Sequence, residues 1–516
     1  MNKKYDAVVI GAGNGGLVSA CKLALEGKKT LLVEKHNIPG GSATSFVRGR
    51  FEFEASLHEL CGISPFTGGG ALQKTFDELG VSDKMDWIPL HEAFRTITIN
   101  DEKNIDYTLP VGREPFIDKV EEYCPGSREI STKLFDLIEE IDAAIDYLGT
   151  IENFSMNIIT DMFGKYGNFL DTASYSVNEV FDTLNVPKTV RDCFGGYWLY
   201  LGTNLDEMSF IHYATMFSSY VIGGPVIPKD RSHNISSALV NRFEELGGEV
   251  RFSTEAKRII VKNNRVCGVE FETGETVDCN YVISNSSPYN MYTKLIDPMY
   301  IPKFRTKKLN SLKLAPKGFS LFLGLDASAE ELGILNHSYF IFDTADTVLQ
   351  AELTKSRKTN NMQAAVCLNN GNPDCSPEGT SILYITAIFT GNEAWSGVTE
   401  ENYVKAKREF ADRMIDNFEK ATGTRIRDHI EEIEIAAPMT YARYLNAPNG
   451  TIYGFENTGS YGIVQRIMTD AIGDKIEHLY YAGGYGKQSL GYNPSYASGY
   501  EAATTVINSM KKEESK

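Results

Sequence analysis

Three glycines near the start of the chain have the plainest chemical reading. Gly11, Gly13 and Gly16 in GAGNGG fit the pattern GxGxxG. The first allows a tight turn, the second lets backbone approach a pyrophosphate, and the third lets a helix pack closely on a strand. A helix starting there offers unpaired N–H groups and the positive end of its dipole to phosphate. Glu34 stands about twenty residues further on, where a carboxylate accepts hydrogen bonds from ribose hydroxyls. Together these residues are suited to holding a dinucleotide. They do not by themselves separate FAD from NAD, although an acid at Glu34 disfavours a 2′-phosphate.

Such a site needs a strand before the glycines, a helix after them and a second strand to carry the acid. YDAVVIGAGNGGLVSACKLALEGKKTLLVEK has that order: an apolar run Ala7–Ile10, a glycine turn, Leu17, Cys21, Leu23 and Leu25 on a helix, then Thr30–Val33. This is a parallel βαβ unit. Beyond it, PGGSATSF reads as a glycine loop, and RFEFEASLHEL alternates around Phe51 and Phe53. From about 115 to 220 the pattern is helical and aromatic, with KLFDLIEEIDAAIDYLGTI strongly amphipathic. Tyr197, Trp198 and Tyr200 in that stretch suit either plain core or the wall of an apolar tunnel. A helix over SSALVNRFEELGG leads to a meander with Asn263–Asn264 and Thr273–Gly274 turns and a last strand Tyr281–Ser284. GFSLFLGL, SILYITAIF and the helix in ENYVKAKREFADRMIDNFEKATG suggest a second sheet with packed helices. HLYYAGG opens a glycine-rich turn before the final helix. His233, in KDRSHNISSAL, has the spacing to help cap the helix that follows it.

At 516 residues the chain is too long for one core, so two interleaved domains are expected. A formal charge of −17 argues against nucleic acid and against electrostatic docking on anionic membrane. No apolar run is long enough to span a bilayer, which leaves only a peripheral membrane contact open. MNKKYD runs straight into the first strand without a secretory leader's apolar core, so the expected location is cytoplasmic. Eight scattered cysteines without a CxxC pair fit reduced thiols and give no metal site.

Several separate blocks, in order, carry a family resemblance. They are GAGNGG with VEKHNIPGG, RFEFEASLHEL, the middle block from GGEVRF to NSSP, NPDCSPEGTSILYITA, PMTYARYLNAPNGTIYGFE, and HLYYAGG with its continuation. Over nearly its whole length the chain resembles the FAD-dependent phytoene desaturase, carotenoid isomerase and retinol saturase superfamily, itself related to the flavin amine oxidases. The resemblance implies an α/β fold: a Rossmann-like FAD-binding domain, with a parallel sheet and a small antiparallel meander, interleaved with a mixed α+β substrate domain. The expected division is FAD-binding at 1–100, 223–295 and 431–510, a helical substrate segment at 101–222, the substrate sheet at 296–430, and a fraying charged tail at 511–516.

By the same resemblance Gly40 and Gly41, with Lys35 and Ser42 beside them, lie along the FAD pyrophosphate. Ala256 supplies backbone to the adenine, and Gly483 and Gly484 meet the ribityl chain. Asn493 and Tyr496 join the cofactor site, the last helix starting at about Tyr496 with its N-terminus toward the flavin. His58, followed by Glu59, falls in the segment that approaches the ring, as a proton carrier or as a structural histidine. Tyr485 and Tyr492 are expected to orient substrate or donate a proton. Lys487 and Gln488 belong to the same loop, GYGKQSLGYNPSYASG, whose polar and aromatic character departs from the desaturases and puts a long carotenoid in doubt.

The activity implied is desaturation, saturation or isomerisation of C=C bonds in an apolar or amphipathic polyene, retinoid-like molecule or unsaturated acid, with NAD(P)H as a candidate external electron donor. A flavin amine or amino-acid oxidase is the alternative enzyme. A binding protein like the Rab escort and GDP-dissociation inhibitor group is the non-enzymatic one.

Overall fold

The computed structural model describes residues 4–100, 105–149, 156–391, 393–456, 476–486 and 491–515. Its first sheet is built from β1 (Lys4–Ile10), β2 (Thr30–Val33), β9 (Glu249–Arg251), β10 (Ala256–Lys262), β11 (Arg265–Phe271), β12 (Thr276–Ser284) and β18 (Leu479–Tyr481), in the order β10-β11-β12-β1-β2-β9 with β18 also on β12. β12 forks: its start pairs antiparallel with β11, while its end runs parallel to β18 and all but its first two residues run parallel to β1. The meander turns through Asn263 and Asn264, both at positive φ, as a two-residue hairpin requires.

Both faces of this sheet are covered, which is why β1 reads as one apolar run rather than an alternation. Ala7 and Val9 enter the core beneath the helices Asn14–Leu25, Arg231–Glu245 and Tyr492–Glu514. Tyr5, Val8 and Ile10 enter the opposite core with the meander. The helix Tyr492–Glu514 starts one turn before the expected Tyr496, at Gly491. Pro494 sits in its first turn, where its missing N–H costs no helical bond.

The second sheet runs β17-β13-β16-β15-β14-β6-β7, from β6 (Glu92–Thr98), β7 (Asp106–Pro110), β13 (Lys317–Leu325), β14 (Ser338–Phe342), β15 (Gln363–Cys367), β16 (Ser381–Phe389) and β17 (Ile430–Ala436). The helix Tyr403–Thr422 buries Phe410, Met414 and Phe418 against it. The helices between Arg113 and Ile222 make their own core around Trp198. Two small ribbons, β3 (Ser45–Arg48) with β4 (Phe51–Glu54) and β5 (Trp87–Pro89) with β8 (Val226–Pro228), lie between the large units.

Three expected boundaries move. Residues 92–100 and 106–110, assigned to the first FAD-binding part and the helical segment, supply β6 and β7 to the substrate sheet, because β6 pairs parallel with β14. No local periodicity reveals a partner 244 residues away at Arg95↔Tyr339. Most of β17, assigned to the third FAD-binding part, pairs antiparallel with β13. The tail at 511–516 remains helical through Glu514, held by ion pairs Lys28–Glu514, Arg265–Glu513 and Lys511–Glu26. Among the described residues no helix is long and apolar enough to cross a membrane, and the eight cysteines are unpaired thiols.

Candidate active site

The glycine turn has no room for side chains. A Cβ on Gly16 would stand 1.9 Å from the Gly11 carbonyl oxygen, so the third glycine is what lets the helix Asn14–Leu25 close onto β1. A Cβ on Gly13 would meet Asn285 Nδ2 at 2.5 Å, and one on Gly15 would meet Gly483 N at 2.3 Å. Gly483 itself has φ +73° and opens the turn after β18. Gly40 donates its N–H to the Ala12 carbonyl at 2.8 Å, which lays the Gly40–Gly41 loop across the first turn. The first and last glycine segments of the chain thus form one cradle.

Neither helix N-terminus at this cradle, at Gly13 or at Gly491, is capped by a side chain. Uncapped N–H groups are available to an anion. The Asn14 side-chain oxygen is buried on the cavity wall without a hydrogen-bond partner among the described residues. Glu34 accepts from Ala12 N at 2.8 Å and His36 N at 2.9 Å. Those two bonds fix its carboxylate on the wall with lone pairs to spare for ribose hydroxyls. Lys35, Ser42, Ala256 and Gly484 line the same wall, Ala256 at the first residue of β10. Backbone cradle, two helix N-termini and a fixed acid are the donor set a dinucleotide needs.

The cavity continues past the cradle into the helical segment, with a volume of about 1670 Å³. Ordinary ligand pockets hold about 300–1,000 Å³, so it has space beyond one ligand. Its inner wall includes Ile145, Leu148, Met162, Phe169, Leu170, Tyr200, Met216 and Tyr220. Among the described residues no lysine or arginine lines this inner part, while Glu59, Asp142, Asp146 and His212 do. Burial lifts the Asp142 carboxyl to about 6, partly offset by its bond from Ser218 Oγ at 2.8 Å.

His58 stands where the two parts meet. Its Nε2 is 3.2 Å from Thr386 Oγ1, which is 2.9 Å from Ser320 Oγ, which is 2.8 Å from the Tyr441 hydroxyl. All four side chains line the cavity, forming a hydrogen-bonded chain across the second sheet. Desolvation, with the neighbouring His337 second, pushes His58 down to about 4. It is therefore a neutral imidazole at neutral pH, suited to accepting a proton or orienting a partner rather than to acting as a cation.

The other expected residues divide. Tyr485 lines the cavity with its ring edge-on to Phe455 at 5.4 Å, and burial raises its hydroxyl pKa. Tyr492 also lines it, but its hydroxyl is engaged, donating to the Ser42 carbonyl at 2.8 Å and lying 2.9 Å from Ser56 Oγ. Asn493 faces the cavity beside Gly62 and Cys61. Tyr496 departs from expectation: it is fully buried under the helix against Phe76 at 5.4 Å. Position 496 falls one turn into the helix, on the face toward the core. Tyr200 walls the cavity as the tunnel reading requires, whereas Tyr197 and Trp198 are core. His233 bonds Ser45 at 2.9 Å rather than capping its helix. That end is satisfied instead by the buried Glu54, which accepts from Ser232 N at 2.8 Å. Lys487 and Gln488 lie outside the described residues.

Sequence reasoning missed Asn285, Thr386, Ser320 and Tyr441. Asn285 wedges between Gly13 and Gly483, and its position at the end of the strand that neighbours β1 was the available signal. The others carried none, being ordinary polar residues on strands or in a short helix.

Fold and site together have the form of a dinucleotide-binding protein: a doubly covered, mostly parallel sheet with a glycine cradle at the carboxyl ends of its parallel strands, opening on a large cavity. The family profile of flavin containing amine oxidoreductases matches residues 15–507, and the chain belongs to that family. Among curated relatives, the all-trans-retinol 13,14-reductase of Danio rerio is 26% identical over 479 residues, covering 88% of this chain and 78% of that protein. The chloroplastic prolycopene isomerase of Daucus carota is 25% identical over 470 residues, covering 88% and 72%. Putrescine oxidase, in its structure with bound putrescine, superposes with a TM-score of 0.64 at 14% identity over 98% of this chain and 99% of that one. The last likeness concerns fold.

Proposed function

We propose that the chain binds FAD in the cradle and changes the saturation or geometry of C=C bonds in an uncharged, largely apolar polyene held in the inner cavity. When bound, the flavin supplies hydride transfer; the protein supplies position and a dry surround. Gly11, Gly13, Gly40, Gly41 and Gly483 take the pyrophosphate side, Glu34 the ribose, and Ala256 the adenine. His58 and Tyr485, both on the cavity wall, hold substrate or a proton. The observation that carries this reading is the composition of the inner wall: apolar and aromatic, with no described cation to receive a carboxylate or phosphate. That favours an alcohol or hydrocarbon over an unsaturated acid. The names of the two relatives, a retinol reductase and a prolycopene isomerase, point to polyenes as well.

Asp142 and Asp146 on the inner wall favour a second reading, an amine oxidase, because acids receive an ammonium group. Anaerobic titration of the purified flavoprotein decides between them. Polyenes, with NAD(P)H among the reductants, should oxidise or reduce the flavin, and amines should leave its spectrum unchanged. Bleaching by amines alone would install the second reading, and a protein that takes up no flavin would turn attention to a binding role.

A further inference from the structure

Beside the neutral His58 lies a carboxyl that the proposed function leaves unused. Glu59 lines the cavity, is only 4% exposed, and has no hydrogen-bond partner on either carboxyl oxygen among the described residues. A buried carboxyl left unpaired is costly, and a structural role gives no reason to keep one facing a cavity. Its backbone is rigid: Leu60, the next residue, exchanges both main-chain bonds with Val226, at 2.8 and 2.9 Å. The adjoining side chain His58 has its ring 6.2 Å from that of Tyr200, and the Tyr200 hydroxyl is the polar group that bears on Glu59.

We propose that Glu59 is a catalytic residue, the acid that exchanges a proton with the substrate. This rests on the polyene reading above. In the saturating direction the Glu59 O–H bond breaks as a C–H bond forms at one alkene carbon. The other carbon would receive the hydride that a bound reduced flavin would supply, its electron pair coming in turn from a two-electron donor of the nicotinamide class. Glu59 is left as carboxylate and recovers its proton before the next turnover; in the desaturating direction the carboxylate takes the proton. Glu92, whose charge acts on Glu59, stands in a polar chain that reaches the surface. Its Oε2 accepts from Asn336 Nδ2 at 2.7 Å, Asn336 accepts from Arg95 at 3.2 Å, and Arg95 pairs with the half-exposed Asp106 at the surface.

Protonation supports the assignment. Desolvation first, offset by Tyr200 and reinforced by the charge of Glu92, lifts Glu59 to about 8, so it carries its proton at pH 7. The titratable groups facing it are His58, Cys61, Glu92, Tyr197, Tyr200 and Tyr220. Of these the histidine is neutral for the reason given, and burial raises the pKa of the thiol and the three phenols, so they are neutral too. Two groups with pKa values pushed to opposite sides of neutrality are the pattern of an acid and its partner.

The test is Glu59→Gln, with Glu59→Asp as the conservative variant, in the flavin-loaded protein. Infrared difference spectra at pH 7 in H₂O and D₂O should show a protonated carboxyl band that E59Q lacks. Flavin content should be preserved. Polyene turnover should fall by about 10²–10⁴ in E59Q, the range for losing a general acid, with partial rescue in E59D. Product formed by wild type in D₂O should carry solvent deuterium at the carbon that Glu59 protonates. E59Q turnover within about threefold of wild type, or no E59Q-sensitive carboxyl band at pH 7, overturns the Glu59 assignment and leaves the polyene reading standing. Wild-type protein inert toward every polyene overturns both.

Discussion

At the glycine-cradle end the cavity wall is largely backbone, and at the inner end it is side chain. Gly13, Gly15 and Gly483 leave peptide groups exposed because any Cβ would collide with a neighbour, and the helix N-termini at Gly13 and Gly491 bring N–H groups to the same place. The inner end is assembled from separate stretches: the segment after β4, the helices from Arg113 to Ile222, and the strands β13 and β16. A wall of backbone tolerates almost no substitution but recognises only what all dinucleotides share. A wall of side chains can be repacked position by position, so the inner end is where a change of substrate costs the fold least.

The contrast breaks most visibly at Gly15. Gly15→Val places its Cβ against Gly483 N, and flavin affinity should fall by at least about a hundredfold, roughly 3 kcal/mol, read as flavin content after gel filtration. Full flavin content in that variant would mean the cradle is not where the cofactor sits. Glu34→Ala is the next largest: losing a charged acceptor is worth about 1.5–3 kcal/mol, seen as a rise in the flavin dissociation constant of about 10- to 100-fold. At the inner end, Met216→Trp should leave flavin content unchanged and cut turnover of long polyenes by about tenfold, sparing shorter ones. If it lowers flavin content instead, the two ends are not independent.

Two smaller effects sharpen the boundary between the ends. His58 and His337 are both held near 4 by burial. Between about pH 6.5 and 4 the unfolded chain therefore takes up protons that the folded chain refuses, and the stability these groups leave intact above that window is lost as pH falls through it. Glu54 and Glu59, raised to about 7 and 8, act in the opposite sense in part of the range. The check is thus a difference: the melting temperature of His58→Asn/His337→Asn, relative to wild type, should rise by a few degrees as pH drops from 6.5 to 4. Tyr492→Phe, which removes the bond to the Ser42 carbonyl and the contact with Ser56, should cost about 0.5–1.5 kcal/mol of stability and leave turnover per bound flavin unchanged. A large loss of turnover would return Tyr492 to the chemistry.

What could be read in advance follows the same division. Gly11, Gly13, Gly16 and Glu34 announce themselves because backbone geometry constrains residue type at fixed spacing. β6 and β17 were given to the wrong sheet because strand partners lie beyond the reach of any local pattern. Tyr496 was placed toward the cofactor because the last helix begins one turn earlier than expected, so this residue lies within the helix, packed against Phe76, and not at its N-terminus. Thr386, Ser320 and Tyr441 acquire meaning only when β13, β16 and the helix Pro438–Tyr444 bring their hydroxyls into line.

β12 joins what the chain makes early to what it makes last. Its end pairs with β1 on one side and with β18 on the other, and the helix Tyr492–Glu514 packs on the helix Asn14–Leu25 through Gly499, where Ser19 Oγ bonds the Gly499 carbonyl at 2.8 Å. The two glycine segments of the cradle are therefore more than four hundred residues apart in sequence and meet only through β12 and these helices. Contacts so distant in sequence make for slow folding. Flavin supplied during refolding should accordingly act late, speeding recovery of the final few percent of native signal rather than the initial collapse.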